Sequence, residues 1–209
     1  MSSPRVVAEV VLSSFHQNID EVRRSPAHYG FKVDKPFMPG DEQWTFYTDA
    51  FSNTNYCSDT LLWQLRKVCK ALQRIPLPRL TISSKDDPLE SHFTLSQAVT
   101  MTYRDGTTSY ESRLALYKCQ LNDEPRHLHI QQNRPDPNVE LVGTLLVTFR
   151  PRDITSGEYK HCDDGVFRRR LRFKTSLQLF HTHGTIKALA KSFDGRALGS
   201  ASFQIHGVS

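Results

Sequence analysis

The sequence predicts an α+β fold dominated by an antiparallel β-sheet, with a helical portion confined to the N-terminal part of the chain. Three observations lead there. Apolar residues recur at helical spacing before Pro76, and they alternate with polar residues at period two after Pro78. Asp105-Gly106 and Asp194-Gly195 then mark tight turns among the alternating segments. With 209 residues, 38% of them hydrophobic, the chain is expected to form a single domain, 1–209. Within it, 1–76 would hold a strand, an irregular segment and helices, and 79–209 the β-rich portion.

Residues 5–13 read as a strand of β-branched residues. Ser14 opens a helical pattern with Gln17 three positions on, as in a capping box, and Phe15, Ile19 and Val22 line one side until Ser25-Pro26 ends it. Residues 26–57 are rich in Pro, Gly and aromatics without a sustained period, so an irregular segment is expected, with one strand near Thr45 to Thr48. The clearest helical pattern runs from Asp59 to Arg74. Leu61, Leu62, Leu65, Val68, Cys69, Leu72 and Ile75 share one face, Ser58 or Asp59 can cap the start, and Pro76 with Pro78 stops the far end. The outer face of that helix would carry Arg66, Lys67, Lys70 and Arg74, a second basic surface.

Beyond Pro78, Phe93, Leu95, Val99, Met101 and Tyr103 stand out in an alternating segment. A hairpin at Asp105-Gly106 would set Tyr110 opposite Met101, Leu114 opposite Gln97 and Leu116 opposite Leu95. Further strands are expected at 127–132 and 139–150, divided by the turn-rich stretch Asn133 to Asn138. From Phe167 to Leu179 alternation separates Phe167, Leu171, Phe173, Leu177 and Leu179 from Arg168, Arg170, Arg172 and Lys174. A loop at His181 to Gly184 would pair Lys174 with Lys191 and Gln178 with Lys187. The turn at Asp194-Gly195 would set Ile186, Ala188 and Ala190 against Phe203, Ala201 and Gly199. Both registers leave one apolar face and one face bearing Arg168, Arg170, Arg172, Lys174, Lys187 and Lys191, with Ser200, Ser202 and Gln204 beside them.

Charge is concentrated in that region. Between Arg150 and Arg196 eleven basic residues meet five acids, whereas the whole chain carries a net +5. Like charges on neighbouring strands repel, so such a face points to an anionic partner, and arginine's planar fork suits phosphate or carboxylate. The expected partners are nucleic acid or acidic phospholipid, with homo-oligomerisation left open. The competing expectation is that Asp163, Asp164 or the acidic loops fold back over the patch. A base-stacking platform would want aromatics among the cations, and Phe167 and Phe173 fall on the other face by parity, which argues against one there.

Metal and catalytic chemistry are weakly written. His127-x-His129 and His181-x-His183 could each place two rings on one side of a strand, but no carboxylate follows at short spacing, so polar strand residues and no metal are expected. Cys57, Cys69, Cys119 and Cys162 form no C-x-x-C pair and read as reduced, mostly buried thiols. No P-loop, G-x-S-x-G, H-E-x-x-H or dinucleotide fingerprint occurs, and no cofactor is expected. The repeated pattern His92-Phe93-Thr94-Leu95 and His183-Gly184-Thr185-Ile186 resembles the motifs of the two-histidine phosphoesterases. That resemblance implies His92 and His183 as acid and base, with Thr94 and Thr185 binding phosphate.

The apolar windows Val6 to Leu12 and Leu141 to Phe149 fall short of the roughly 20 residues of a membrane span, and Glu9 spoils the first as a signal peptide. A cytoplasmic or nuclear protein, peripheral to any membrane it meets, is expected. In general character, a small basic β-rich chain with two cationic surfaces resembles the matrix-type structural proteins of negative-strand RNA viruses, without a motif in common. The resemblance implies a self-assembling structural protein. The leading expectation is non-catalytic binding of an anionic partner through the cationic sheet, ahead of a two-histidine phosphoesterase or a general nucleic-acid-binding or transport protein.

Overall fold

The structure is a computed structural model that describes residues 6–8, 25–39, 41, 45–67, 89–90, 94–131, 134–180 and 184–205. The first half of the chain supplies β1 (Val6–Ala8), β2 (His28–Pro36), β3 (Phe46–Asp49), β4 (Thr54–Leu65), β5 (Leu89–Glu90) and β6 (Leu95–Thr102). The second half supplies β7 (Tyr110–Cys119), β8 (His129–Gln131), β9 (Arg134–Pro135), β10 (Val139–Phe149), the short helix α1 (Pro151–Ser156), β11 (Glu158–His161), β12 (Phe167–Phe180), β13 (Thr185–Lys191) and β14 (Ala197–Gln204).

Eight strands pair in the order β10-β7-β2-β1-β6-β12-β13-β14, with β4, β5 and β11 attached along the way and β3 paired to β4. Among the described strands every pairing is antiparallel except β1 with β2, which meet at Val7 and Asp34, and an isolated parallel bridge joins Ser25 to Lys67. The two end strands of this path come into contact. Gly199 on β14 lies so close to β10 that a Cβ there would stand 2.1 Å from the Leu146 carbonyl oxygen, which only glycine avoids. The sheet therefore curls round one core, into which β2 sends Phe31 and Val33, β7 sends Leu114 and Leu116, and β12 sends Leu171, Phe173, Leu177 and Leu179. Phe149 meets Phe173 edge to face at 5.6 Å. Inside this apolar interior the amide of Gln97 donates to Thr175 Oγ1 at 2.8 Å, and that of Gln64 to the Thr175 carbonyl at 2.9 Å.

The expected N-terminal helical portion is overturned. Among the described residues α1 is the one helix, and the fold is mostly antiparallel sheet. Residues 59–65 of the expected helix belong to β4, residues 68–74 lie outside the described residues, and so does the pattern that starts at Ser14. The physical reason lies in β4 itself. Leu61 and Trp63 are buried in a small cluster with Cys119, while Leu65 enters the main core and Thr60 and Gln64 are also covered. A strand buried on both faces shows a continuous apolar run, which periodicity cannot distinguish from a helix.

The segment 26–57 is likewise more regular than expected. The strand near Thr45 to Thr48 is β3, but β2 also forms there, burying Tyr29, Phe31 and Val33 at period two around Gly30. The hairpin register at Asp105-Gly106 is overturned as well. The turn exists, with Gly106 at φ 83° and the Thr107 N–H donating to the Arg104 carbonyl at 3.1 Å. Yet β6 pairs with β1 and β12, and β7 with β2 and β10, so the chain uses this turn to pass between partners rather than to fold β7 onto β6. Cys57, Cys119 and Cys162 are free and buried, in line with the reduced-thiol reading, and Cys69 lies outside the described residues.

Candidate anion-binding site

β12 and β13 pair with Lys174 opposite Lys191 and Gln178 opposite Lys187. β13 and β14 pair with Ile186, Ala188 and Ala190 opposite Phe203, Ala201 and Gly199. Both registers are those expected from the sequence. Gly195, at φ 86°, makes the second turn with the backbone geometry glycine favours. Burial alternates strictly along β13, so Lys187 and Lys191 share the outer face with Lys174, and Ser200, Ser202 and Gln204 are exposed beside them.

The six cations expected on this face divide into two groups. Arg168 forks onto Asp164, with Nη1 to Oδ1 at 2.6 Å and Nη2 to Oδ2 at 2.5 Å. That hydrogen bonding holds the Asp164 carboxyl down to about 2. Arg170 is not on the open surface at all. It is 5% exposed, ion-paired to Asp49, and its guanidinium lies 4.4 Å from the centre of the Phe51 ring. Asp49 is itself fixed by the Ser52 N–H at 3.0 Å and the Ser52 hydroxyl at 2.7 Å. The chain's own acids thus cover this end of the face. Arg172 reaches Glu158 at 3.8 Å, both side chains half exposed, a separation that contributes little.

Lys174, Lys187 and Lys191 form the other group, and none has a carboxylate partner among the described residues. The ammonium of Lys174 lies 4.9 Å from the centre of the Phe193 ring. Lys174 and Lys191 line a shallow cleft of about 240 Å³ together with Thr94, Ser176, Ser192 and Phe193. The Ser192 hydroxyl is committed to Asp194 and also accepts the Arg196 N–H at 3.0 Å. Two ammonium groups beside hydroxyl donors suit a phosphate oxygen. A larger neighbouring cavity, about 560 Å³, lies between α1, β11 and the 192–196 turn. Its four arginines meet three acids along the lining, with Arg196 forked onto Asp153 and Arg170 paired to Asp49, so most of its positive charge is already engaged.

Of the second basic surface, the structure describes Arg66 and Lys67, and neither lies on a helix. Arg66 pairs with Glu124 at 2.7 Å and Lys67 Nζ donates to the Gln120 carbonyl at 2.7 Å, while Lys70 and Arg74 lie outside the described residues. His92 and His183 also lie outside them. Of their motifs the structure places the threonines. Thr94 precedes Leu95, which pairs with Thr175, whereas Thr185 pairs with Phe180 on the opposite side of β12. That register puts the two residues about 16 Å apart, from four residues of rise and two strand spacings, too far for both hydroxyls to touch one phosphate.

Two further groupings were not foreseen from the sequence. At the far end of β12 the Arg169 guanidinium lies 4.5 Å from the Tyr103 ring centre and 4.8 Å from that of Tyr159, and Tyr159 stacks on the exposed Phe167. Tyr159 and Phe167 project beyond the core, so parity with the apolar face did not bury them. The second grouping involves the histidines. His129 Nδ1 lies 4.0 Å from Asp59, but His127 is brought beside Asp41 and Cys57, ligand types that come from distant parts of the chain. No protein-family model, no curated protein and no solved structure matches this chain.

Proposed function

We propose that this is a non-catalytic binding protein that engages a phosphate-bearing partner, nucleic acid or an acidic membrane surface, through Lys174, Lys187 and Lys191 on the outer face of β12 and β13. The observation that carries the reading is the direct cross-strand placement of Lys174 against Lys191 at a cleft with no neutralising carboxylate among the described residues. Lys187 lies four residues from Lys191, so the three charges extend over about 13 Å of sheet, more than one phosphate wide. Arg172 flanks them, whereas Arg168 and Arg170 serve the fold. Among the described residues no helix is long and apolar enough to cross a membrane, and membrane contact in this reading is made at the headgroup surface. The buried free thiols suit the reducing cytoplasm or nucleus.

The test is retention of the protein by RNA, by DNA and by phosphatidylserine liposomes against neutral ones. Lys174→Glu combined with Lys191→Glu should lower retention at least tenfold while leaving the unfolding transition cooperative. Unchanged retention in that variant would contradict the reading.

A further inference from the structure

Asp41, Cys57 and His127 are remote in the chain, yet their ligating atoms all lie within 4.8 Å of one another. The backbone holds each by a separate device. Cys57, fully buried in β4, pairs with Lys35 on one side and Phe46 on the other. Asp41 closes a turn, its N–H donating to the Met38 carbonyl at 3.0 Å and its Oδ2 accepting the Met38 N–H at 2.8 Å. His127 bridges to Thr60, between the hydrogen bonds from Leu61 N to Arg126 O at 2.8 Å and from Leu128 N to Asp59 O at 2.9 Å.

The ion pair with Lys35 accounts for the Asp41 carboxylate, but it gives the Cys57 sulfur and the His127 ring no reason to join it. A buried thiol behaves as a small hydrophobe, and as a thiolate it would repel the carboxylate unless a cation lay between them. Together they make a ligand set suited to zinc, which takes sulfur at about 2.3 Å and nitrogen or oxygen at about 2.0–2.2 Å. In a tetrahedral site such atoms stand about 3.5 Å apart, so closure needs about an ångström of side-chain movement. The neighbours are those of a supported site. Thr45 Oγ1 is hydrogen-bonded to Cys57 Sγ and would donate to it as a thiolate, and Lys35 Nζ lies 2.7 Å from Asp41 Oδ1, where it orients the carboxylate. Each carboxylate oxygen keeps a lone pair for the metal.

We propose that Asp41, Cys57 and His127 form a zinc-type metal site with its fourth position open to water, tying the turn at Asp41 and the segment before β8 to strand β4. The site is independent of the lysine cleft and stands without it. The test is titration of the metal-stripped full chain with Co²⁺ and then Zn²⁺. One equivalent of Co²⁺ should give a thiolate-to-cobalt charge-transfer band with tetrahedral visible bands, which Zn²⁺ displaces, and Zn²⁺ should raise the unfolding temperature. Cys57→Ser and His127→Gln should each weaken binding by more than the roughly 10- to 100-fold that an outer-shell partner is worth. Cys162→Ser should bind as the wild type does. Absence of stoichiometric binding by the folded wild type, or survival of the band in Cys57→Ser, would overturn the proposal. If Cys57→Ser fails to fold, wild-type affinity in His127→Gln overturns it equally.

Discussion

Lys174 and Lys191 face each other at one cross-strand position of β12 and β13, two like charges where the sheet would gain from opposite ones. The Phe193 ring relieves Lys174 in part. Lys191→Glu turns the pair attractive, so the free protein should become more stable by about 0.2–1 kcal/mol while its affinity for polyanions falls. Urea unfolding and binding measured on the same preparation check this. A loss of both stability and binding would mark the lysines as structural.

Arg170 should behave in the opposite way. Removing it by Arg170→Ala leaves Asp49 nearly buried without its cation, a change that costs about 3–5 kcal/mol. Lys174→Ala, at the open end of the same strand face, should stay within about 0.5 kcal/mol of the wild type. Denaturant midpoints of the two variants provide the comparison, and equal midpoints would refute the division of the face into an internal and an external half.

His28 should make stability depend on pH. Burial pushes its imidazole below the ordinary 6.5, and the attraction of Glu124 offsets this only in part. The neutral ring with its proton on Nε2 fits both partners, donating to the Leu121 carbonyl at 3.0 Å and accepting the Lys67 N–H on Nδ1 at 3.2 Å. Because the unfolded chain takes up the proton first, this contribution is complete above 6.5 and is lost as the pH falls through the lower folded value. The difference in unfolding free energy between wild type and His28→Phe should therefore shrink between pH 7.5 and pH 5. A difference that stays constant over that range would show that His28 does not titrate differently in the two states.

The registers of β12, β13 and β14 were legible because one face of β12 and of β13 is buried and the matching face of β14 is half-buried, so a slip by one residue would expose their apolar side chains. Where that asymmetry is absent, legibility ends. β4 buries residues on both faces and mimics a helix. The Asp105-Gly106 turn sits in a seven-residue link between β6 and β7, too long to impose a two-residue hairpin, and the chain changes neighbours there. Arg170 and Arg172 share parity and composition yet differ in fate, because Asp49 arrives beside Arg170 from 121 residues away. The three lysines could be found from alternation alone, but which cations remained free depended on contacts distant in sequence. The approach of Asp41, Cys57 and His127 depends on the same kind of distant contact and leaves no local signal.

The most direct test of the account is the salt dependence of polyanion binding. Three cations that displace counterions from phosphates should give a log-log slope of about −2 to −3, from about 0.7–0.9 per contact. The slope should change little with base sequence, and it should be abolished in Lys174→Gln/Lys187→Gln/Lys191→Gln. A flat salt response of the wild type, or a slope that survives in the triple variant, would contradict binding through this face.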